Sequence, residues 1–139
     1  MSRPKKNDQL IFELVEHFKT LGVTPDFNKE EQCYHIKLSS LCTFKLTPSF
    51  SHLYISANIP NSEKILSDLN AWKKFSRVMK ENIHKETIYL ALDNKSNTLA
   101  LAMTIDLVSI WQREDIDDLI VGFIEFFHWT IEFLQDWED

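Results

Sequence analysis

Five histidines, two cysteines and 21 carboxylates are the side chains with which this chain of 139 residues could do chemistry. Cys33-x-His35 would project two metal donors from one strand face, with Cys42 a short way along the chain. A tetrahedral zinc site needs four donors at recognisable spacing, and neither Cys-x-x-Cys nor His-x-x-x-His is present. Glu125-x-x-His128 has the spacing used in di-iron bundles. Those sites repeat the motif, add two further carboxylates and sit on four helices. Here the pair falls on the polar side of an apolar helix, so a solvated pair is expected, as it is for Glu13 and His17 one turn apart. Ser49-Phe50-Ser51-His52 sets hydroxyls beside an imidazole, but no glycine flanks either serine to make a nucleophile elbow. The only glycines are Gly22 and Gly122, too few for a phosphate-cradling loop. No catalytic residue, metal ligand or cofactor is assigned from the sequence.

What the chain has in excess is apolar and aromatic surface. Hydrophobic residues make up 44% and aromatics 12%, the balance of a globular domain rather than a disordered one. Charge is uneven. Residues 106–139 carry one Lys/Arg against ten Asp/Glu, a net of −9, while the whole chain has −6. That disfavours phosphate neutralisation, so no nucleic-acid partner is expected. The acidic stretch reads as a solvated helix face, or as an electrostatic guide for a basic partner. Met1 to Asn7 is polar and basic with no apolar signal core behind it, and the longest apolar run, Leu119–Ile124, is far below the ~20 residues that span a bilayer. No membrane insertion is expected. With two cysteines and no disulfide framework, a reducing cytoplasm is the expected home.

The elements that would position these residues follow from periodicity. Asn7 or Asp8 caps a first helix that Gly22 ends, with Leu10, Ile11, Leu14, Val15, Phe18 and Leu21 on one stripe. Phe12 falls off that stripe: a partly exposed aromatic, or a partner contact. Pro25, Asp26 and Asn28 mark a loop. Period two then appears in Tyr34–Leu38, Cys42–Leu46 and Leu53–Ile59, a three-strand meander with one buried face. Ser62 caps a second helix over 62–83. Beside its main stripe runs a second, Ala71, Phe75 and Val78, which implies deeper burial or a subunit contact. Residues 87–93 and 99–105 form a hairpin around Asn94-Lys95-Ser96-Asn97. The last helix starts near Asp115, and its apolar arc, extended by Leu119, Phe126, Trp129, Phe133 and Trp137, covers about 220° of the wheel. The fold class is α+β: one domain over 1–139, in the order α-β-β-β-α-β-β-α, with an antiparallel sheet of about five strands covered by helices.

This pattern resembles the class I type III secretion chaperones, the Tir-chaperone-like group. The likeness is carried by "TIYLALDNKSNTLALAMTIDL" at 87–107, the acidic helix "DIDDLIVGFIEFFHWTIEFLQDWE" at 115–138 and "LYISANIP" at 53–60. Two features depart from the family: its hairpin turn usually contains glycine, and "NIHKET" at 82–87 replaces an often Gly-rich stretch. The YbjN-like bacterial proteins share the fold, and "LNAWKKFSRV" at 69–78 is faintly similar to their Asn-x-Trp segment. The resemblance implies an ATP-independent homodimer in the bacterial cytoplasm. The dimer would hold the N-terminal region of a secreted effector extended for export, and docking to the secretion ATPase is part of that picture. By the family's geometry the effector groove lies between the first helix and the meander, with Phe12, Phe44, Phe50, Leu53 and Tyr54 as candidates. The dimer would join through the second helix and the adjacent hairpin, at Ala71, Phe75, Val78 and Tyr89. The alternative is a regulatory or adaptor module of the same fold that binds a folded signalling partner.

Overall fold

Helical spacing stops at Gly22 because the backbone turns left-handed there, with φ +84°, and only glycine takes that turn without a Cβ penalty. The Val23 amide reaches back to the Phe18 carbonyl at 3.0 Å and closes the helix end. The computed structural model of the chain describes residues 5–39, 42–83, 88–93, 95, 97–110 and 112–136. His84, Thr87, the turn residues Asn94 and Ser96, and Trp137 lie outside them.

The elements are α1 (Lys5–Thr20), β1 (Asp26–Asn28), β2 (Cys33–Lys37), β3 (Thr43–Pro48), β4 (His52–Asn58), α2 (Glu63–Leu66), α3 (Leu69–Asn82), β5 (Ile88–Asp93), β6 (Thr98–Asp106) and α4 (Arg113–Gln135). All strand pairs are antiparallel, in the order β1-β2-β3-β4-β6-β5. The α+β class and the element order match the sequence reading. The sheet gains a sixth strand: Asp26–Asn28, expected as loop, pairs with β2 through Phe27 opposite Tyr34.

Three details differ for local reasons. α1 already runs at Lys5, so Asn7 sits inside it rather than capping it; buried there, its side-chain amide donates to the Phe50 carbonyl at 3.1 Å. The 62–83 helix is broken, because Asp68 adopts extended backbone and its carboxylate accepts the Asn70 amide as a fresh N-cap. Ser62 makes no side-chain cap for α2. Its fully buried hydroxyl instead accepts the Leu99 amide at 2.8 Å, while the Leu99 carbonyl takes the Ile59 amide at 2.8 Å.

Period two sorts the sheet into unlike faces. Ile36 opposite Phe44, and Leu46 opposite Ile55 opposite Met103, build an apolar face. Leu14 and Phe18 of α1, Phe75 and Met79 of α3, and Ile116, Phe123 and Phe127 of α4 complete one core with it. The opposite face runs through the row His35, Lys45, Ser56, Ala102 and Tyr89. Of that row only Ala102 is buried, and none joins the cluster that the helices complete. The helices therefore cover one face only.

Ser62→Ala leaves the buried Leu99 N–H without an acceptor, and about 1–3 kcal/mol of stability is expected to go. Urea unfolding checks this; a change within about 0.5 kcal/mol would show that the bond does not hold α2 to β6.

Candidate partner-binding surfaces

The sequence candidates separate by depth. Phe44 and Leu53 are fully buried in the core, with the Phe44 ring tilted 58° against Phe18 at 6.2 Å between ring centres. Neither has surface to offer a client, which corrects their place in the groove: α1 lies over the face from which they project. Phe12 (59% exposed) and Phe50 (49%) stand at the surface on the helical side. Phe12 lines a cleft of about 490 Å³ between α1 and the start of α4, rimmed by Glu13, Glu16 and Glu114. Tyr54 is exposed on the other sheet face, where its ring stacks on His52 at 6.1 Å. The five candidates do not form one groove.

Other apolar residues are exposed at the β1 margin of the sheet and at the end of α1. That helix is tied at one end by Asn7 to the β3–β4 turn and at the other by Phe18 to Phe44. Phe27 of β1 belongs to the same sheet face as Tyr34, Leu46 and Ile55 by register, but at its edge, and is 43% exposed. Its ring contacts Tyr34 at 4.9 Å. Leu38, two residues past Ile36, is also exposed, as is Leu21 beyond the end of α1. β1 is an outer strand, so the backbone edge beside Phe27 is open to a further strand. The sequence reading missed this strip. Its one signal was an isolated aromatic between Asp26 and Asn28.

At the other end of the sheet, β5 is the second outer strand. Tyr89 and Leu92 are exposed on it, and the Tyr89 hydroxyl lies 3.2 Å from Thr104 Oγ1. A cleft of about 310 Å³ separates β5 from α3, lined by Ser76, Met79, Lys80, Ile83 and Tyr89 among others. Of the candidate dimer residues, Phe75 is wholly buried in the protomer's own core, a correction to its assignment. Ala71 and Val78 are half-buried, and Leu69 at the start of α3 is two-thirds exposed. The wide arc of α4 is covered only in part by its own chain: Phe126, Trp129 and Phe133 stack at 5.4 and 5.6 Å and rest, half-buried, against the core.

The chemical candidates fall apart or are already engaged. His17 faces Asp117 of α4 at 3.6 Å, and Arg113 Nε reaches the same carboxylate oxygen at 3.1 Å, so this trio ties α1 to α4 while Glu13 accepts from Gln9. Glu125 and His128 are exposed. Ser49 serves the β3–β4 turn through His52, and Ser51 Oγ meets the ring of its own neighbour His52 at 2.7 Å. Cys42 is buried on the core side, and burial pushes its thiol pKa up. Cys33 and His35 do come together, and Glu31 joins them. Among the described residues, no helix is long and apolar enough to cross a membrane.

No protein-family profile and no curated protein sequence matches the chain. Solved structures do. A chain of the ExsC–ExsE complex superposes with a TM-score of 0.69 at 13% identity, covering 95% of this chain and 96% of that one. The HopA1–SchA chaperone–effector complex gives 0.64 at 12% identity, covering 88% and 94%. YbjN of E. coli, described as a putative transcription regulator, gives 0.58 at 14% identity, covering 88% and 89%. At these identities the likeness is one of fold, and it is the chaperone-like fold expected from the sequence, with YbjN as the expected second neighbour.

Depth decides what substitution does. Phe44→Ala is expected to cost about 3–5 kcal/mol, and Phe27→Asp no more than about 1 kcal/mol. Equal losses in urea unfolding would place both residues in the core and remove the strip.

Proposed function

We propose that this chain is a bacterial cytoplasmic chaperone of a type III secretion system, non-enzymatic and homodimeric. It binds the N-terminal region of a secreted effector in an extended state. The observation that carries this is the apolar strip of Phe27 and its ring contact Tyr34 beside the open edge of β1, in a chain with the chaperone-like fold. An extended segment can add its backbone to such an edge and place alternate side chains on the strip. Phe12 and Phe50 extend the apolar contact over α1 and the β3–β4 turn. Ordering an extended client has an entropic cost, which keeps the complex separable when it docks at the secretion ATPase.

Dimerisation is assigned to the opposite end of the sheet. Its candidate residues are Ala71 and Val78, half-buried on α3, and Tyr89 of β5, which lines the α3–β5 cleft; Leu69 and Leu92 are exposed on the same two elements. This leaves the β1 edge clear for the client. The likeness to YbjN favours one other reading, an adaptor that binds a folded signalling partner.

Co-expression with a candidate secreted effector tests both readings. The expected complex protects an N-terminal client segment from limited proteolysis. Phe27→Asp should weaken capture about tenfold or more, about 1.4 kcal/mol, with the unfolding midpoint little changed. A complex with a folded partner and no protected N-terminal segment would instead support the adaptor. Capture indifferent to Phe27→Asp would remove the β1 strip from the client surface.

A further inference from the structure

The bare face of the sheet carries a cluster of donors that neither apolar surface uses. Cys33 and His35 are two residues apart on β2, so their side chains leave the same face, and Sγ lies 3.5 Å from the His35 Nε2. Glu31, in the β1–β2 turn, brings its Oε2 to 3.9 Å from that sulfur. One donor atom from each of the three lies within 4.8 Å of the others. Tetrahedral bonds of ~2.0–2.3 Å set ligand atoms roughly 3.3–3.8 Å apart, so the sulfur already stands near that spacing from both other donors, and a small approach of Glu31 to His35 would complete the set. Lys45 of β3, paired with His35 across the ladder, places its ammonium 3.1 Å from the same Glu31 oxygen. That ammonium holds the Glu31 carboxyl below its ordinary pKa, whereas burial and the Glu31 charge hold the Cys33 thiol above its own.

We infer that Glu31, Cys33 and His35 form a binding site for a divalent transition metal of the zinc class, with the Lys45 ammonium standing where the ion's charge would be. One sulfur, one imidazole nitrogen and one carboxylate oxygen suit zinc or cobalt rather than magnesium or calcium. On binding, the Cys33 thiol gives its proton to solvent, a metal–sulfur bond forms, and Lys45 turns out to water. The thiolate and the Glu31 carboxylate then balance the two charges of the ion. Three protein donors leave the fourth position to water; Asp26, cross-strand from His35, rises from the same face. Because Glu31 lies in the turn and the other two donors on β2, a bound ion would fasten the β1–β2 turn to the sheet. The inference is independent of the proposed function.

Cobalt(II) added to the reduced, full-length protein is the direct probe. The expected result is one equivalent bound, with a near-ultraviolet thiolate-to-cobalt charge-transfer band and visible bands of tetrahedral intensity that zinc displaces. Cys33→Ser should abolish the charge-transfer band, and Cys42→Ser should leave it. Glu31→Gln and His35→Gln should each weaken binding about tenfold or more. Lys45→Met, which removes the competing cation, should tighten it. Glu31 and Lys45 are partly exposed, so their variants keep the fold and carry the test if Cys33→Ser does not. Absence of the band at a large excess of cobalt would overturn the site. So would a band that survives Cys33→Ser, or one indifferent to Glu31→Gln, His35→Gln and Lys45→Met, which is the behaviour of a lone thiol.

Discussion

Every long helix of this chain is held by one face of one sheet. Phe44, Leu46, Leu53, Ile55, Leu101 and Met103 supply that face, and α1, α3 and α4 each contribute two or more buried side chains to the core it belongs to. Each large apolar side chain taken fully from water contributes about 1.5–3 kcal/mol. The buried phenylalanines Phe44, Phe75, Phe123 and Phe127 are therefore a main support of the fold. Polar fasteners act at its margins: Asn7 on the Phe50 carbonyl, Ser62 on the Leu99 amide, and Arg113 with His17 on Asp117.

A core with helices on one side has a geometric consequence. The sheet is six strands wide, and the helices over it leave both margins thinly covered, each beside an outer strand. The exposed large apolar residues include Phe27 at one margin and Tyr89 and Leu92 at the other. An outer strand with apolar neighbours is a hazard for a monomer, since it invites pairing with any extended chain. The proposed binding of an extended client and of a second copy would use the same feature at both ends. β1 is only three residues long, which limits uncontrolled pairing while leaving a place for a client to start.

Much of the architecture was legible because period two and period 3.6 are strong signals in long segments. β2 to β6, α1 and α4 follow their stripes closely. β1 was not legible: three residues, Asp-Phe-Asn, cannot display an alternation, and their composition is that of a turn. The break before α3 was hidden because Asp68 caps a helix only once its backbone is extended. The candidate site was read less well for one reason. Alternation says which residues share a sheet face but not how far a helix covers that face. Phe44 alternates as either a groove or a core residue would, and only the fold shows it buried against Phe18 of α1. Phe75 presented the same ambiguity on α3. The donor cluster was half visible as Cys33-x-His35; Glu31 lies in a turn whose path brings its carboxylate back over β2, and no spacing rule foretells that.

The central claim is that one copy does not cover its own apolar margins and that α3 with β5 closes against a twin. Light scattering coupled to size-exclusion chromatography of the isolated protein at micromolar concentration tests it most directly. The account predicts a species of twice the 16.4 kDa chain mass, reverting to a single chain when Tyr89 is replaced by aspartate. A particle of one chain mass across that concentration range would contradict it.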